Sequence, residues 1–581
     1  MNKKVRLWDW VFCSILFLLP FLHVNIGLNI ADQGYNLANF EAFPDMNRMW
    51  MIATLVANLV GKFFTFLPGG HYMLGMNVYC TLLLSVISVV IYNVLKKDYS
   101  RYAVFAGLVI AICFSWAPKV TLYQYLSYYL FCGAALLVVR GIVKQKRSLL
   151  YVAGIVLGIS LFVRFPNILQ TALIVPVIGG MFIYRKKVVE LLKDIGVCVL
   201  GYLTIVIPVI VVLEIIYGSG AYMSMIQSLF AMTESATSYT PLSMIYSMYA
   251  SYFENIKWFV WFLIEAVLAT ILYGFLRKKW GKIMMYLIMA TGFLFILRVY
   301  WYWGVMNIKY TQYQSVYLWG VLFLMLGILV LTGVVFIPRY PKEKKVYALA
   351  GLVIIFITPL GSNNALYSNF NNLYLLAPMV IGSITDLLLL GRNAMKKETV
   401  KIWRFSAVPM VLVSYMLVAV LFFQTFMFHL FFVFGDPVFA GNSLAVVKDN
   451  SVLSGIVTTA DTAEDFEGLT AFLEQESYAE QECIVWSHSP MVYYAMKLDC
   501  AIGHTWPTLD SYPYDEFVTD IQAMEEYPLV IYEVQYYPDL LENAEGMDSK
   551  TLVLQEVLRK GEYKEVYRNN FYAVCVPGAS K

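Results

Sequence analysis

Asp32 is the carboxylate whose position in the sequence points most directly to chemistry. It follows a long apolar run, residues 8–28, where the chain would leave a membrane. A carboxylate is costly to place near lipid, so residues of this kind are usually functional. Asp32 could act as a general base that takes a proton from a hydroxyl or an amine. The alternative is that it caps the next helix, since Asp is a favoured N-cap residue.

Basic residues on the same side of the predicted membrane could bind the oxygens of a phosphate. The candidates are Arg48, Lys62, Lys119, Arg164 and Arg298. We favour Arg164, which lies between two apolar runs, and Arg298, which lies near the end of another. Each has an ordinary alternative, because a basic residue at a helix end can simply extend its charge out of the lipid.

Aromatic and amide side chains in the outer segments would suit a sugar. Trp301 and Trp303 could stack on a sugar ring, and Tyr35 lies close to Asp32 in the sequence. The amides of Asn363 and Asn364 could exchange hydrogen bonds with hydroxyl groups. An interfacial aromatic belt explains the tryptophans equally well, and a plain polar loop explains the asparagines.

Residues 218–256 form a long segment on the same side of the predicted membrane. The segment contains Met223, Met225, Met232 and Tyr239. We expect an irregular, mobile loop that covers the site, because loops of this length are commonly functional or disordered.

The composition assigns the elements that must position these residues to a membrane. Of 581 residues, 60% are hydrophobic and 14% are charged, whereas soluble domains carry about 25% charged residues. The first apolar run follows Lys3, Lys4 and Arg6 and lacks a small-residue cleavage site. It is also longer than the apolar region of a usual signal peptide. We therefore predict a retained signal anchor and a polytopic α-helical membrane protein.

Apolar runs of about 20 residues that are bounded by charge predict the membrane spans. The thirteen predicted spans are 8–28, 72–94, 102–118, 121–140, 149–163, 168–184, 194–217, 257–276, 283–300, 315–337, 346–361, 372–390 and 405–428. With a cytoplasmic N-terminus, 27 basic residues before residue 430 lie inside and seven lie outside. This bias follows the positive-inside rule, so the loop 29–71 and the C-terminus are expected outside the cytoplasm.

One apolar stretch, residues 50–66, is not predicted to cross the membrane. Thr54, Asn58 and Lys62 recur at helical spacing and give it a polar stripe. A crossing here would also place six later basic clusters outside. We therefore predict an amphipathic helix in the outer interface, within the loop 29–71.

The composition changes sharply at about residue 431. Residues 431–581 contain 25 acidic and 8 basic residues, whereas residues 1–430 contain 14 acidic and 34 basic residues. No run after residue 430 is long and apolar enough to span a membrane. Residues 482–487 and 528–534 are predicted to be buried strands, residues 490–497 and 515–524 helices, and residues 563–576 a hairpin. These patterns predict an extracytoplasmic α/β domain after the multi-pass domain 1–430.

Motifs for metals and nucleotides are missing from the sequence. There is no CxxC pair, HExxH run, phosphate-binding Walker loop or dinucleotide-binding glycine motif. His488 and His504 lie in the acidic C-terminal region, where ordinary satisfied histidines are the favoured interpretation. We expect no metal, no cofactor and no nucleic-acid partner.

The layout resembles the GT-C superfamily of integral-membrane glycosyltransferases. The resemblance rests on one helix followed by an outer loop that opens with Asp32-Gln33-Gly34-Tyr35. Protein O-mannosyltransferases, lipid A aminoarabinose transferases and the bacterial family 39 relatives share this plan, and an external C-terminal domain matches the aminoarabinose transferases. Many members carry Asp-Glu in the motif, whereas Gln33 leaves Asp32 as the sole carboxylate here.

The resemblance implies a glycosyltransferase that uses a sugar linked to a polyprenyl phosphate on the outer face of the cell membrane. Asp32 would be the general base, and Arg164, Arg298, Arg48 and Lys62 would bind the donor phosphate. The acceptor would be a lipid, a glycan or a protein of the cell envelope. Two alternatives remain open: a transporter or lipid flippase, and a non-catalytic assembly or receptor protein.

Overall fold

The protein is an α-helical bundle followed by a mixed α/β domain. The computed structural model describes residues 3–46, 48–235, 240–276, 282–338, 340–362, 364–396, 408–476, 478, 481–509, 512–538, 540–541 and 547–578. The helices before residue 431 are α1 Lys3–Leu18, α2 Asp32–Ala42, α3 Arg48–Ala53, α4 Leu55–Thr65, α5 Met73–Leu95, α6 Arg101–Phe114, α7 Leu122–Val143, α8 Arg147–Val163, α9 Ile174–Tyr184, α10 Val188–Tyr217, α11 Ala221–Ser235, α12 Pro241–Leu276, α13 Lys282–Tyr302, α14 Gln314–Phe336, α15 Lys342–Ile357, α16 Tyr367–Asn371, α17 Leu376–Lys396 and α18 Val408–Phe431. Short 3₁₀ helices cover Leu19–Phe21 and Phe165–Leu173.

Eight helices in the described part of the chain are long and apolar enough to cross a membrane. Each coincides with a predicted span, which confirms a polytopic helical membrane protein. The other five predicted spans fall on α1, α6, α8, α15 and α17. The count of thirteen crossings stays a prediction, and residues 405–407 of the last predicted span lie outside the described residues.

The first span is shorter than its apolar run suggests. Helix ends at Phe21, and the chain beyond it pairs with the C-terminal region: Gly27 N donates to Val457 O at 2.8 Å, and Val457 N donates to Asn25 O at 2.8 Å. Leu28 N donates to the Asp436 carboxylate at 2.7 Å. These bonds satisfy backbone groups that a continued helix would otherwise have used.

One end of the bundle collects ion pairs from helices that are distant in sequence. We call it the basic end, because the cations come from the basic clusters predicted to lie inside. Its carboxylates and their partners are Asp9 with Lys96 and Arg101, Asp98 with Arg140, Asp194 with Arg147 and Lys186, and Asp386 with Lys344. The four basic clusters that supply these cations therefore share one end of the bundle, as the charge bias predicts.

The segment between α1 and α5 forms short helices at the opposite end. α4 has 11 residues, so it is about 16 Å long and too short to cross a membrane. Thr54 and Asn58 turn toward the protein interior, whereas Leu59 and Phe63 are exposed. α4 is therefore amphipathic, with its polar stripe on the side that faces the protein interior.

Residues 431–581, here called the C-terminal domain, contain the predicted sheet. Their elements are β1 Leu444–Val446, β2 Val457–Thr459, α19 Ala460–Gln475, β3 Glu482–Trp486, α20 Met491–Met496, β4 Asp499–Cys500, α21 Tyr514–Ala523, β5 Leu529–Glu533, α22 Ser549–Lys560, β6 Lys564–Arg568 and β7 Tyr572–Val576. The five-stranded sheet has the order β4-β3-β5-β7-β6. β3 runs parallel to β4 and β5, and β7 runs antiparallel to β5 and β6. The predicted strands, helices and closing hairpin are confirmed.

One face of this domain shares a hydrophobic core with the loop 29–71 and the start of α5. Leu37 and Phe40 of α2 and Met76 of α5 are buried in the same cluster as Phe466 and Met491. Helix α2 packs so closely on α20 that a Cβ at residue 34 would overlap the backbone nitrogen of Met491, so glycine is required there. The C-terminal domain is therefore fixed on the loop that carries Asp32.

The prediction of an irregular loop over residues 218–256 is wrong. α11 and the first half of α12 occupy most of it, and only residues 236–239 lie outside the described part. Tyr222 and Met225 are buried against Phe162 and Met51 at helical spacing. This apolar face stabilises a helix where length alone indicated a loop. Met232 and Tyr239 have side chains outside the described residues.

Candidate functional site

A cavity of about 840 Å³ lies between the loop 29–71, the bundle and the C-terminal domain. Asp32 and Arg164 are the two charged side chains among its described lining residues. Tyr35 and Asn364, which were also predicted to belong to the site, line the same cavity. Residues that are far apart in the sequence thus meet at one place.

The Asp32 carboxylate lacks a protein partner within the described part of the chain. Asp32 is the first residue of α2, and the N-cap position is Ala31, which makes no side-chain capping bond. The prediction that Asp32 could serve as a cap is therefore not supported. Burial raises the pKa of Asp32. Its oxygens are free to accept a proton or a hydrogen bond from a molecule in the cavity.

Gln33 has a structural position beside Asp32. Its Nε2 donates to Asn77 Oδ1 of α5 at 2.9 Å, and its backbone N–H donates to Asn29 Oδ1 at 2.8 Å. The Asn77 amide extends this series of hydrogen bonds by donating to Val24 O at 3.0 Å. Gln33 therefore holds the start of α2 on α5, and orients Asp32 through the backbone.

Arg164 ends α8 and enters the cavity from the bundle. Its guanidinium donates to Gly361 O and lies over the Tyr123 ring, 5.8 Å from the centroid. Gly361 has φ of +89°, which favours glycine, and a Cβ there would overlap Pro166. Within the described residues, Arg164 forms no salt bridge. Its charge is held in place by neutral groups and remains available to an anion.

Aromatic side chains form much of the remaining wall. Trp116 N donates to the buried Asn371 Oδ1 at 2.9 Å, and the Trp116 indole N–H donates to Tyr367 O at 3.1 Å. Tyr313 stacks on Trp116 with ring centroids 6.1 Å apart. Sequence reasoning missed these three rings. Trp116, which follows α6, was visible in the sequence, but nothing in its neighbourhood there distinguishes it from an aromatic residue of the membrane interface.

One side of the cavity is apolar and continues onto the surface of the bundle. Ile168, Leu169, Phe230 and Ile245 line the cavity and are also more than a third exposed. The residues 165–169 and the helices α11 and α12 carry these side chains. The cavity is thus bordered by a surface of the kind that faces lipid.

Arg298, Trp301 and Trp303 lie away from this cavity. In α13 the inward position belongs to Tyr300, whose hydroxyl donates to Trp258 O at 2.6 Å. Arg298 and Trp301 therefore project to the surface, and Trp303 just beyond the helix is 68% exposed. The turn of the helix explains why these neighbours of a buried ring point outward.

The other predicted cations have different positions. Lys62 Nζ donates to Glu41 O at 2.7 Å and does not line the cavity. Lys119 Nζ lies 3.3 Å from the Tyr125 hydroxyl, and burial lowers the pKa of Lys119 to about 8. The Arg48 side chain and Asn363 lie outside the described residues.

The C-terminal domain contributes Trp506 and Leu509 to the cavity wall. His504 stacks on Tyr35 with ring centroids 5.8 Å apart. Burial lowers the pKa of His504 to about 3, and its Nδ1 accepts from Trp506 N at 3.0 Å. His504 is therefore neutral, but it is not the satisfied surface histidine that the sequence indicated, because it is buried and its Nε2 has no hydrogen-bond partner among the described residues. Across the described residues, no group of three or more His, Cys, Asp or Glu side chains could hold a metal ion.

Comparisons with known proteins identify no family, since no family model and no curated protein matches the chain. Functional inference therefore depends on the chemistry of the cavity.

Proposed function

We propose that this protein is a membrane glycosyltransferase that moves a sugar from a polyprenyl-phosphate donor to an acceptor at the cavity. The observation that carries the proposal is that one cavity with an apolar border is lined by the Asp32 carboxylate, which lacks a partner among the described residues, and by the Arg164 guanidinium, which contacts neutral groups and forms no salt bridge there. A transferase needs a base for the acceptor and a cation for the leaving phosphate. This chain supplies Asp32 for the first and Arg164 for the second.

The transfer step follows from these two roles. Asp32 takes the proton of an acceptor hydroxyl or amine as its oxygen or nitrogen forms a bond to the anomeric carbon. The bond between that carbon and the phosphate oxygen breaks, and its electron pair stays on the phosphate. The departing polyprenyl phosphate is bound by Arg164, because charge-assisted hydrogen bonds to phosphate are strong.

The apolar border suits the isoprenoid chain of the donor. Ile168, Leu169 and Phe230 would contact the chain while the phosphate lies beside Arg164. The chain would then remain in the lipid, and only the sugar and phosphate would enter the cavity. The positive-inside bias supports a site on the extracytoplasmic face, so the acceptor is a lipid, a glycan or a protein of the cell envelope.

Full-length protein in lipid nanodiscs tests the proposal. The probes are a polyprenyl phosphate and a panel of polyprenyl-phosphate-linked hexoses and pentoses, with cell-envelope extract as the acceptor source. We expect the protein to bind polyprenyl phosphate and to release it from at least one donor. Binding without release from any donor would contradict the proposal. Movement of intact donor between leaflets would instead support the transporter alternative.

A further inference from the structure

The loop 504–509 of the C-terminal domain closes one side of the cavity. It follows β4, and its residues Trp506 and Leu509 line the cavity with Asp32. Thr505 Oγ1 donates to Asn39 Oδ1 of α2 at 2.8 Å. The Trp506 ring meets Tyr35 edge to face with centroids 6.0 Å apart. The loop is thereby fixed to the helix that begins with Asp32.

The same loop is tied to its own domain by Lys550 at the start of α22. The Lys550 ammonium donates to the carbonyls of Pro507 at 2.6 Å, Leu509 at 2.8 Å and Tyr512 at 3.1 Å. Three donors on one ammonium match three carbonyls that the turn leaves outside any strand or helix. The loop is therefore held in place by the Lys550 ammonium rather than by sheet hydrogen bonds.

The Trp506 ring has a fixed orientation as well. Its indole N–H donates to Thr508 Oγ1 at 3.1 Å, and Thr508 Oγ1 donates to Ser487 O at 3.1 Å. An indole held in this way offers a rigid aromatic surface with little entropy to lose on binding. Amphipathic rings of this type are common binding anchors.

Charge limits what this side of the cavity can bind. Apart from Asp32 and Arg164, every described lining side chain is uncharged, and Tyr35, Asn36 and Asn39 lie on the helix beside Trp506. An anionic group here would meet the Asp32 carboxylate, and a cationic group would pair with that carboxylate and so occupy the base of the proposed transfer. A neutral ring with hydroxyl groups would gain both an apolar face and amide hydrogen bonds.

We infer that Trp506 binds a neutral sugar unit of the acceptor and presents one of its hydroxyls to Asp32. The inference rests on the proposed function and makes it more specific: the acceptor is a glycan or glycolipid, and the C-terminal domain selects it. The donor phosphate enters on the Arg164 side, and the acceptor sugar lies against the 504–509 loop.

Binding of simple sugars to the full-length protein in nanodiscs tests this assignment. The probes are methyl glycosides of neutral hexoses, methyl glucuronide as a charged control, and polyprenyl phosphate. We expect the neutral glycosides to bind best and Trp506→Ala to weaken them about tenfold. Polyprenyl phosphate should bind Trp506→Ala as it binds the parent. Tyr514→Ala is the matched control, because Tyr514 is an exposed aromatic of the same domain outside the cavity.

Lys550 is a positioning residue in this scheme, and its variants provide a second measurement. Lys550→Met removes the donors that hold the loop and should weaken glycoside binding several-fold, with polyprenyl phosphate binding unchanged. Lys550→Arg keeps a charged donor group and should restore most of the binding. Failure of the arginine variant to restore it, with the fold intact, would count against a role through the loop carbonyls.

The outcomes separate this inference from the proposed function. Equal glycoside binding by Trp506→Ala and the parent overturns the inference, and so does an equal loss of glycoside and polyprenyl phosphate binding. Neither result contradicts the proposed function, because transfer by the parent protein is measured separately. Conversely, glycoside binding that depends on Trp506 without any release of polyprenyl phosphate supports the sugar site and contradicts the transferase.

Discussion

The two ends of the helical bundle treat charge in opposite ways. At the basic end, partly buried carboxylates pair with cations from other helices, as Asp9 does with Lys96 and Arg101. At the cavity, Asp32 and Arg164 have no oppositely charged partner among the described residues. A buried charge without a partner is destabilising, so its retention needs a reason other than the fold.

The difference separates the charges that join helices from the two that we propose bind substrate. The pairs at the basic end join helices that are distant in sequence, as Arg140 joins α7 to the connection after α5. The charges at the cavity form no salt bridge among the described residues, and the Arg164 guanidinium is held by neutral groups. Unpaired ionisable residues at a membrane-protein cavity are the usual mark of a substrate site.

The two ends of the bundle should lie on opposite sides of the membrane. We expect Ser454→Cys, in the C-terminal domain, to react with an impermeant thiol reagent in intact cells. Lys97→Cys, at the basic end, should react only after permeabilisation. Both positions are exposed, so access to the reagent decides the result. The reverse pattern would place the cavity in the cytoplasm.

Matched changes to one carboxylate at each end should have opposite consequences. Asp32→Asn removes the proton acceptor, so transfer should fall about 10²–10⁴-fold while the melting temperature stays near that of the parent. Asp9→Asn breaks two partly buried ion pairs and should lower stability by about 1–2 kcal/mol, with transfer per folded molecule unchanged. Rates and thermal unfolding of purified proteins measure both. Near-normal transfer by a folded Asp32→Asn protein would contradict the role of Asp32 as the general base.

One arginine at each end, Arg164 at the cavity and Arg140 at the basic end, should show the same contrast between binding and stability, with smaller changes. Arg164→Ala should weaken binding of polyprenyl phosphate about 10–100-fold, the range for losing a charged hydrogen bond, and the fold should survive. Arg140→Ala leaves Asp98 unpaired and should act on stability instead. Donor titration and thermal unfolding distinguish the two variants. Parent-like donor affinity in Arg164→Ala would make Arg164 a residue that only extends its charge out of the lipid.

The smallest expected effect is on the pH dependence of transfer. Burial raises the pKa of Asp32, and the base acts in its ionised form. Activity should therefore fall as pH decreases, with a midpoint above the usual Asp value of about 3.9. His488 lies near Trp506 and also titrates, and burial lowers its pKa. His488→Gln is the control and should leave the midpoint unchanged; a midpoint that moves with this variant would assign the titration to His488.

Local patterns in the sequence predict much of this fold. Each of the thirteen apolar runs contains a helix, and the strands at 482–486 and 529–533 follow short apolar stretches. Asp32 and Arg164 could be chosen because charge next to a membrane helix is informative on its own. Helical periodicity also separated the inner and outer sides of α4.

What the sequence does not reveal depends on which distant segments meet. Trp506 looks like any aromatic residue in a loop, and only the docking of the C-terminal domain on α2 brings it to Asp32. Trp301 and Trp303 attracted attention because they cluster, yet Tyr300 is the ring that α13 turns inward. Side-chain direction and domain docking are tertiary properties, and composition does not encode them locally.

The pairing of residues 25–28 with the C-terminal domain has a consequence for biogenesis. The Leu28–Asp436 hydrogen bond joins positions 408 residues apart, and the wall that holds Trp506 is synthesised later still. Because a chain emerges from its N-terminus, Asp32 reaches its final surroundings only after the last domain has been made. Nascent or truncated chains would therefore contain the first helices without the complete cavity, which forms only when the C-terminal domain docks on α2.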